Sequence, residues 1–391
     1  MNSTKNILYV FGGEFASGGE FVIERLMLGN YENSLPHLFL SPGTYYEELS
    51  RKYDFPIKAI KQLRKLNRAK SSLLNFIFNA IYNYLSVSYL VLKYISKNKI
   101  NVIHANTLGP ASYLIPAILF TKIFNKKIIW IWSDHDLVHH SKLDYSLIKI
   151  CSGLYNNTLV VSQAVKNKYD TNNQKIIVLY NGLDPDFFVR DNKIREEFRI
   201  KYNISNSVTV VGIAGFIAPR KGQITLCKSV INLIKEYPDL LLLIAGKPLD
   251  LESEYYKELV ELISRVDYIK YVGQIKDMRY FYNGCDILVN NSNIEGSEPL
   301  GTTIYESMSC SKVVIASKTG GTSEIITDGF DGFLFDAENM ESFERHLARI
   351  ISKPDMLSEI KLNARNKVLK RFNIKTMVFN YNQIINALKG A

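Results

Sequence analysis

An α/β protein built as two successive doubly wound, Rossmann-like halves is what the sequence predicts, on three observations. Short Ile-, Leu- and Val-rich runs alternate with helix-period segments along the whole chain. In each half a glycine-bearing loop joins an early run to the helix after it. The 391 residues, 47% hydrophobic and 22% charged, suffice for two cores of ordinary size.

The first half opens with a strand over 6–11 and a loop, 12–20, in which Gly12, Gly13, Gly18 and Gly19 stand before a helix pattern from Phe21 to Met27. Such a junction brings backbone N–H groups to a phosphate, although the spacing is not the GxGxxG of a dinucleotide site. Leu38-Phe39-Leu40 reads as a second strand. Ser71 to Leu92 is uncharged for 22 residues, with Asn75, Asn79 and Asn83 at i, i+4 and i+8. That polar stripe predicts a half-buried helix rather than a spanning one. Strands follow at 102–106 and 127–132, the second tipped by Ser133-Asp134-His135-Asp136.

His135, His139 and His140 have the proximity of metal ligands, but no HExxH pattern accompanies them. At the carboxyl end of a strand, His135 is expected to hydrogen-bond a ligand, and His139 and His140 to be solvated. Further strands read at 159–162 and 176–180. The turn-rich Asn181-Gly182-Leu183-Asp184-Pro185-Asp186 then marks the domain boundary. The domains expected are 1–182 and 183–370, with a helix in 371–391 returning to the first.

In the second half a strand at 208–214 leads into Gly215-Phe216-Ile217-Ala218-Pro219-Arg220-Lys221-Gly222 and a helix from Gln223. Glycines with Arg-Lys at a helix mouth suit a diphosphate, through N–H donors, a helix dipole and two cations. Strands read at 240–245 and 269–273, the latter ending on Gly273, a candidate ligand contact. The run Asp286–Val289 enters a polar loop, and Glu298 and Glu306 follow eight residues apart with Leu300-Gly301-Thr302 between them. With Glu298 in the loop and Glu306 one turn into the helix, both carboxylates converge on a ligand at the helix N-terminus. A helical pattern runs from about Ser342, broken at Pro354, and a last amphipathic segment covers Met377 to Leu388.

Four scattered cysteines without CxxC spacing argue against zinc or a disulfide framework and suit a reducing cytoplasm. The N-terminus reads directly into a strand, with no basic-then-apolar signal ahead of it. The net charge of +10 is uneven: from Phe55 to Ser133 there is no Asp or Glu, and the local charge is +12. Six basic residues lie between Lys58 and Lys70, with Ile60, Leu63 and Leu66 at helical spacing. This predicts a basic amphipathic segment held at an anionic membrane surface, at the inner face of the cell membrane.

Taken together these features resemble the GT-B glycosyltransferases, and in particular glycosyltransferase family 4. The resemblance rests on Gly215…Lys221-Gly222, Glu298 and Glu306 as a Glu-x7-Glu pair, Gly320-Gly321-Thr322-Ser323-Glu324, and Asp328-Gly329-Phe330-Asp331-Gly332-Phe333-Leu334. Gly18-Gly19, His135 and Asn181-Gly182 match the family's first domain. Phe216 stands where many members have Arg, and Ser309-Cys310-Ser311-Lys312-Val313 lacks the usual Gly and Pro.

The resemblance implies two facing domains with a nucleotide sugar, UDP- or GDP-linked, in the cleft between them. It implies that Lys221 and Arg220 hold the diphosphate with the Leu300-Gly301-Thr302 backbone, that Glu306 holds the ribose, and that Glu298 and His135 meet the donor sugar. Gly18, Gly19, Asn181, Gly215 and Gly273 complete the implied substrate contacts. Retaining, front-face transfer without a protein nucleophile, a metal or another cofactor is implied. The acceptor would be a lipid-linked sugar or growing glycan in surface polysaccharide, lipopolysaccharide or glycoconjugate synthesis. Two rivals stay open: a nucleotide-sugar epimerase on the same fold, and a non-catalytic membrane-surface binding protein. A nucleic-acid binder is disfavoured, since no recognition motif is interleaved with the bases.

Overall fold

The computed structural model describes residues 5–15, 18–64, 72–138, 141–170 and 172–390. Its contacts divide the chain into two units, one of residues up to Gly182 together with those from Ile374, the other Leu183–Asn373.

The first unit holds a seven-stranded sheet in the order β3-β2-β1-β4-β5-β6-β7. The strands are β1 Lys5–Val10, β2 Ser34–Leu40, β3 Ile57–Ala59, β4 Val102–Asn106, β5 Ile129–Asp134, β6 Asn157–Val160 and β7 Ile176–Val178. Every pairing is parallel. Central parallel strands are covered on both faces, so they read as unbroken apolar runs, and Ile7, Leu8, Tyr9 and Val10 of β1 are fully buried. Four helices matter below: α1 Gly18–Gly29, α2 Leu73–Asn98, α3 Leu108–Tyr113 and α4 Ile115–Ile123. The C-terminal helix Ile374–Gly390 packs on α1 and lends Met377, Val378, Tyr381 and Ile385 to this unit's core.

The second unit repeats the plan with β8 Thr209–Ala214, β9 Leu240–Ala245, β10 Ile269–Gly273, β11 Ile287–Asn290, β12 Val313–Ser317 and β13 Phe333–Phe335. Its order is β10-β9-β8-β11-β12-β13. Within each unit the order thus runs 3-2-1-4-5-6, and the crevice outside the first and fourth strands is where such sheets bind ligands.

Three expectations need correction. The stretch from Lys58 is not a free amphipathic helix. Ile57–Ala59 is the edge strand β3, Lys61–Leu63 is a single 3₁₀ turn, and Ile60 and Leu63 are buried, so they are not offered to lipid. Leu66 and the bases from Lys65 to Lys70 lie outside the described residues. The first glycine-rich loop is also shorter than expected, because the helix begins at Gly18 itself. Finally, α2 is half-buried only from Asn83 onward, and Asn75 and Asn79 lie on an end that is exposed on most sides.

Candidate functional site

The residues with ligand-binding chemistry collect at the carboxyl edges of the two sheets. In the second unit, β8 ends at Ala214 and the chain passes through Gly215 to the 3₁₀ turn Pro219–Lys221. Gly222 then starts α5, Gln223–Leu233, from a left-handed conformation, φ 63°. A Cβ there would sit 2.4 Å from the Asn291 carbonyl oxygen, so this position requires glycine twice over. The close approach is fixed by the Asn291 side chain, which donates from Nδ2 to the Gly222 carbonyl (2.8 Å) and to Thr225 Oγ1 (2.9 Å). Gly246, which follows β9, is tighter still: a Cβ would fall 1.8 Å from the Gly215 carbonyl oxygen.

Asn291 follows β11, the neighbour of β8 at the point where the strand order reverses. The polar loop behind it ends on Glu298 and on Gly301, the residue that caps α6, Thr302–Ser309. Glu298 lies in that loop and Glu306 lies one turn inside α6, while Leu300 is buried under the turn.

Lys221 and Glu298, from loops after different strands, meet as an ion pair between Nζ and Oε1. Both side chains are largely enclosed, and Ser292 Oγ donates to the same carboxylate at 2.8 Å. Burial, with the Arg220 charge added, pushes the Lys221 ammonium down to about 7. Arg220 remains exposed beside the pair, its backbone held where its carbonyl accepts from Asn293 N at 3.1 Å. This edge therefore offers a buried lysine in an ion pair, an exposed guanidinium and the N-termini of α5 and α6, a set suited to a diphosphate.

Glu306 is more enclosed than a simple ribose clamp. It is buried, and the Tyr282 hydroxyl donates to its Oε2 at 2.8 Å. That bond orients the carboxylate, with Tyr282 supplied by the helix Met278–Gly284. Gly273 closes β10 at φ 73°, and its carbonyl accepts from Gly246 N at 2.9 Å. The Asp328–Leu334 turn is structural: Asp328 Oδ1 accepts from Leu334 N, and the fully buried Asp331 pairs with Lys367.

In the first unit the N-terminus of α1 meets the ends of β4 and β5. The His135 ring covers Gly19, where an added Cβ would come within 3.1 Å of Cδ2. Asn106, the last residue of β4, donates from Nδ2 to Glu20 Oε1 at 3.4 Å, which turns its Oδ1 toward His135 Nε2 at 2.8 Å. Asn106 Oδ1 can only accept, so His135 donates through Nε2 and keeps Nδ1 as an acceptor. Burial lowers the His135 pKa, against the opposing pull of Asp134, Glu20 and Asp136. Asn181 is buried, and its Oδ1 has no hydrogen-bond partner among the described residues. His139 and His140 lie outside the described residues, and among the described residues no His/Cys/Asp/Glu group could hold a metal ion.

Tyr282, Asn291, Ser292, Asn106 and Glu20 were not singled out as site residues from the sequence. The signal for Asn106 and Asn291 was an Asn at the end of a buried strand, at a place where a ligand crevice opens. Tyr282 carries no such signal.

The family model described as Glycosyl transferases group 1 matches residues 194–367, and that of Glycosyltransferase Family 4 matches residues 41–187. The chain belongs to the family 4 glycosyltransferases. An uncharacterized glycosyltransferase of Methanocaldococcus jannaschii is 26% identical over 59% of this chain and 58% of its own length. The lipopolysaccharide 1,2-N-acetylglucosaminetransferase of Salmonella typhimurium is 28% identical over 52% of this chain and 51% of its own. The chain thus spans little more than half the length of these curated relatives. In fold it is similar to HepE of Anabaena, solved in complex with UDP, with a TM-score of 0.81 and 20% identity over 98% of this chain and 100% of that one. That likeness extends over both units and gives the architecture as GT-B.

Proposed function

We propose that this family 4 glycosyltransferase moves a sugar, with retention of anomeric configuration, from a UDP- or GDP-sugar to a glycan or lipid-linked acceptor at the inner membrane face, in surface polysaccharide, lipopolysaccharide or glycoconjugate synthesis. The Lys221–Glu298 pair carries the reading. A buried lysine held by a carboxylate is an exchangeable site: an incoming diphosphate offers Lys221 more charge than Glu298 does, and takes it over. Glu298, released, meets the donor sugar, and Ser292 remains as its partner.

Lys221, Arg220 and the N–H groups at Leu300-Gly301-Thr302 then stabilise the charge that grows on the leaving diphosphate as the glycosidic bond breaks. Glu306, oriented by Tyr282, accepts from the ribose hydroxyls. His135 Nδ1 accepts from a sugar hydroxyl. The acceptor hydroxyl gives its proton to the leaving diphosphate on the face where the new bond forms, and no residue acts as nucleophile, metal ligand or cofactor holder. Gly18, Gly19, Asn181, Gly215 and Gly273 line the approach. The relative named as an N-acetylglucosaminetransferase of lipopolysaccharide supports a surface-glycan acceptor, and the strip without carboxylates between Phe55 and Ser133 supports an anionic membrane beside it.

The test is a screen of UDP- and GDP-sugars against lipid-linked and glycan acceptors, with product mass and anomeric configuration read by NMR. A product of retained configuration supports the reading. An isomerised nucleotide sugar formed with no acceptor present would replace it with epimerisation.

A further inference from the structure

His135 follows the last residue of β5 and stands between two aspartates, Asp134 and Asp136. The side chain that holds both of those neighbours comes from further along the chain. Lys168 follows β6, the parallel neighbour of β5, after a single helical turn, Gln163–Lys166, capped by Ser162. Its Nζ pairs with Asp134 Oδ2 at 2.6 Å and also donates to the Asp136 carbonyl. The Lys168 and Asp134 side chains are 7% and 2% exposed, so the pair is shielded from water and salt. Asp136 N donates to Asp134 Oδ1 at 3.2 Å, and the Tyr169 hydroxyl donates to Asp134 Oδ2. One ammonium thus grips the chain on either side of His135.

The grip is backed by the core of the first unit. Tyr169 lies edge-on to Trp132 of β5 with ring centroids 6.4 Å apart, and Trp132 lies 6.3 Å from Tyr155. The Tyr155 hydroxyl donates to the Ala111 carbonyl of α3 at 2.9 Å. Packed rings of this kind leave little room for the clamp to follow a moving loop.

Charge makes a second demand. The groups acting on the His135 ring are Glu20 from α1, Asp134 and Asp136 from its own segment, Lys168, and His104 and Asn106 from β4. His104 is held neutral by burial and adds no charge. Burial is the largest influence on His135 and favours the neutral ring; the three carboxylates favour an imidazolium, and Lys168 opposes them. An imidazolium has no acceptor nitrogen. Among these groups Lys168 alone is a cation, and it is paired with Asp134, the strongest of the three carboxylates in its pull on the ring.

We propose that Lys168 is a positioning residue for sugar transfer: it fixes the residues on both sides of His135 and offsets the Asp134 charge, so that the imidazole meets a sugar hydroxyl with Nδ1 as the acceptor. The proposal rests on the role given to His135 above.

The experiment sets Lys168→Met, Lys168→Arg and Asp134→Asn/Lys168→Met beside wild type, each as the full chain. NMR of ¹⁵N-labelled histidine without substrate reads the tautomer and titration of the His135 ring, its signal assigned by loss in His135→Gln. Wild type should show the Nε2–H tautomer at neutral pH. In Lys168→Met the ring should titrate at higher pH, and the acid limb of kcat/KM should move up with it. At neutral pH kcat should fall about 10–100-fold, with affinity for the nucleoside diphosphate unchanged. Lys168→Arg, which keeps the charge and the donors, should recover most of the rate. The double variant removes opposite charges together and leaves no buried carboxylate unpaired. Its ring should titrate as in wild type while kcat stays low, because the clamp is gone. An Nδ1–H tautomer in wild type overturns the proposal, as does a His135 titration unmoved in Lys168→Met or a double variant with wild-type kcat. The NMR needs no turnover, so it judges the clamp even where wild type transfers no sugar, and a failure of the transferase reading shows in wild type alone.

Discussion

At the scale of single residues the site turns on Lys221. Burial, with the Arg220 charge added, pushes its ammonium down to about 7, whereas its ordinary value is 10.5. Between those values the unfolded chain holds more protons than the folded one, so this group's contribution makes stability rise with pH across that window. Donor binding has the opposite sign. A diphosphate favours the charged lysine, so binding above about pH 7 takes up a proton, and Kd should climb toward about tenfold per pH unit. Titration calorimetry in buffers of different ionisation enthalpy reads that uptake directly, and Lys221→Met should abolish it. The residue types at this site were legible in the sequence, but the pairing was not. Lys221 and Glu298 are 77 positions apart in the sequence. They meet because β8 and β11 are neighbours, and a partner for Glu306 on a separate helix is equally a matter of tertiary position.

At the scale of elements, the loop from β8 into α5 is held by Asn291 and by the absence of a side chain at Gly222. Gly222→Ala places a Cβ against backbone in a left-handed conformation, and should cost about 1–3 kcal/mol of stability. Since it moves the N-terminus of α5, donor affinity should fall with it. Chemical denaturation and donor titration on the same preparation check both. Parallel strands were the most legible elements, because burial on both faces turns Ile7–Val10 and Ile287–Val289 into continuous apolar runs. The stretch from Lys58 was the least. Its Ile60 and Leu63 fit helical spacing, yet they are buried beside an edge strand and a 3₁₀ turn. The polar stripe of α2 misled for a related reason: Asn83 faces inward, whereas Asn75 and Asn79 share an uncovered end with Leu74 and Phe78.

At the scale of the molecule, each unit has a sheet and core of its own, and the chain closes the first unit with its last helix. Tyr381 on that helix meets His104 Nδ1 at 2.9 Å, while His104 Nε2 meets Ser133 Oγ at 2.7 Å. Burial pushes the His104 pKa down to about 3, so it stays neutral and keeps both contacts at physiological pH. Removing residues from Ile374 on should therefore uncover the β1–α1 core and destabilise the first unit selectively. Hydrogen exchange should show lost protection in β1, β4 and β5, with β8, β9 and β11 unchanged. The two-halved plan was readable from the recurrence of strand, glycine-bearing loop and helix, because each Rossmann-like unit must repeat that local pattern to bury its strands.

Donor affinity bears most directly on the claim that the second unit's strand-end edge is a diphosphate site. Calorimetric titration of wild type, Lys221→Ala and Glu306→Ala with UDP- and GDP-sugars should give binding for one nucleotide class. Lys221→Ala should weaken it about 10–100-fold through loss of a charge-assisted contact, and Glu306→Ala should weaken it by a smaller factor. Both variants binding that donor as tightly as wild type would contradict the assignment.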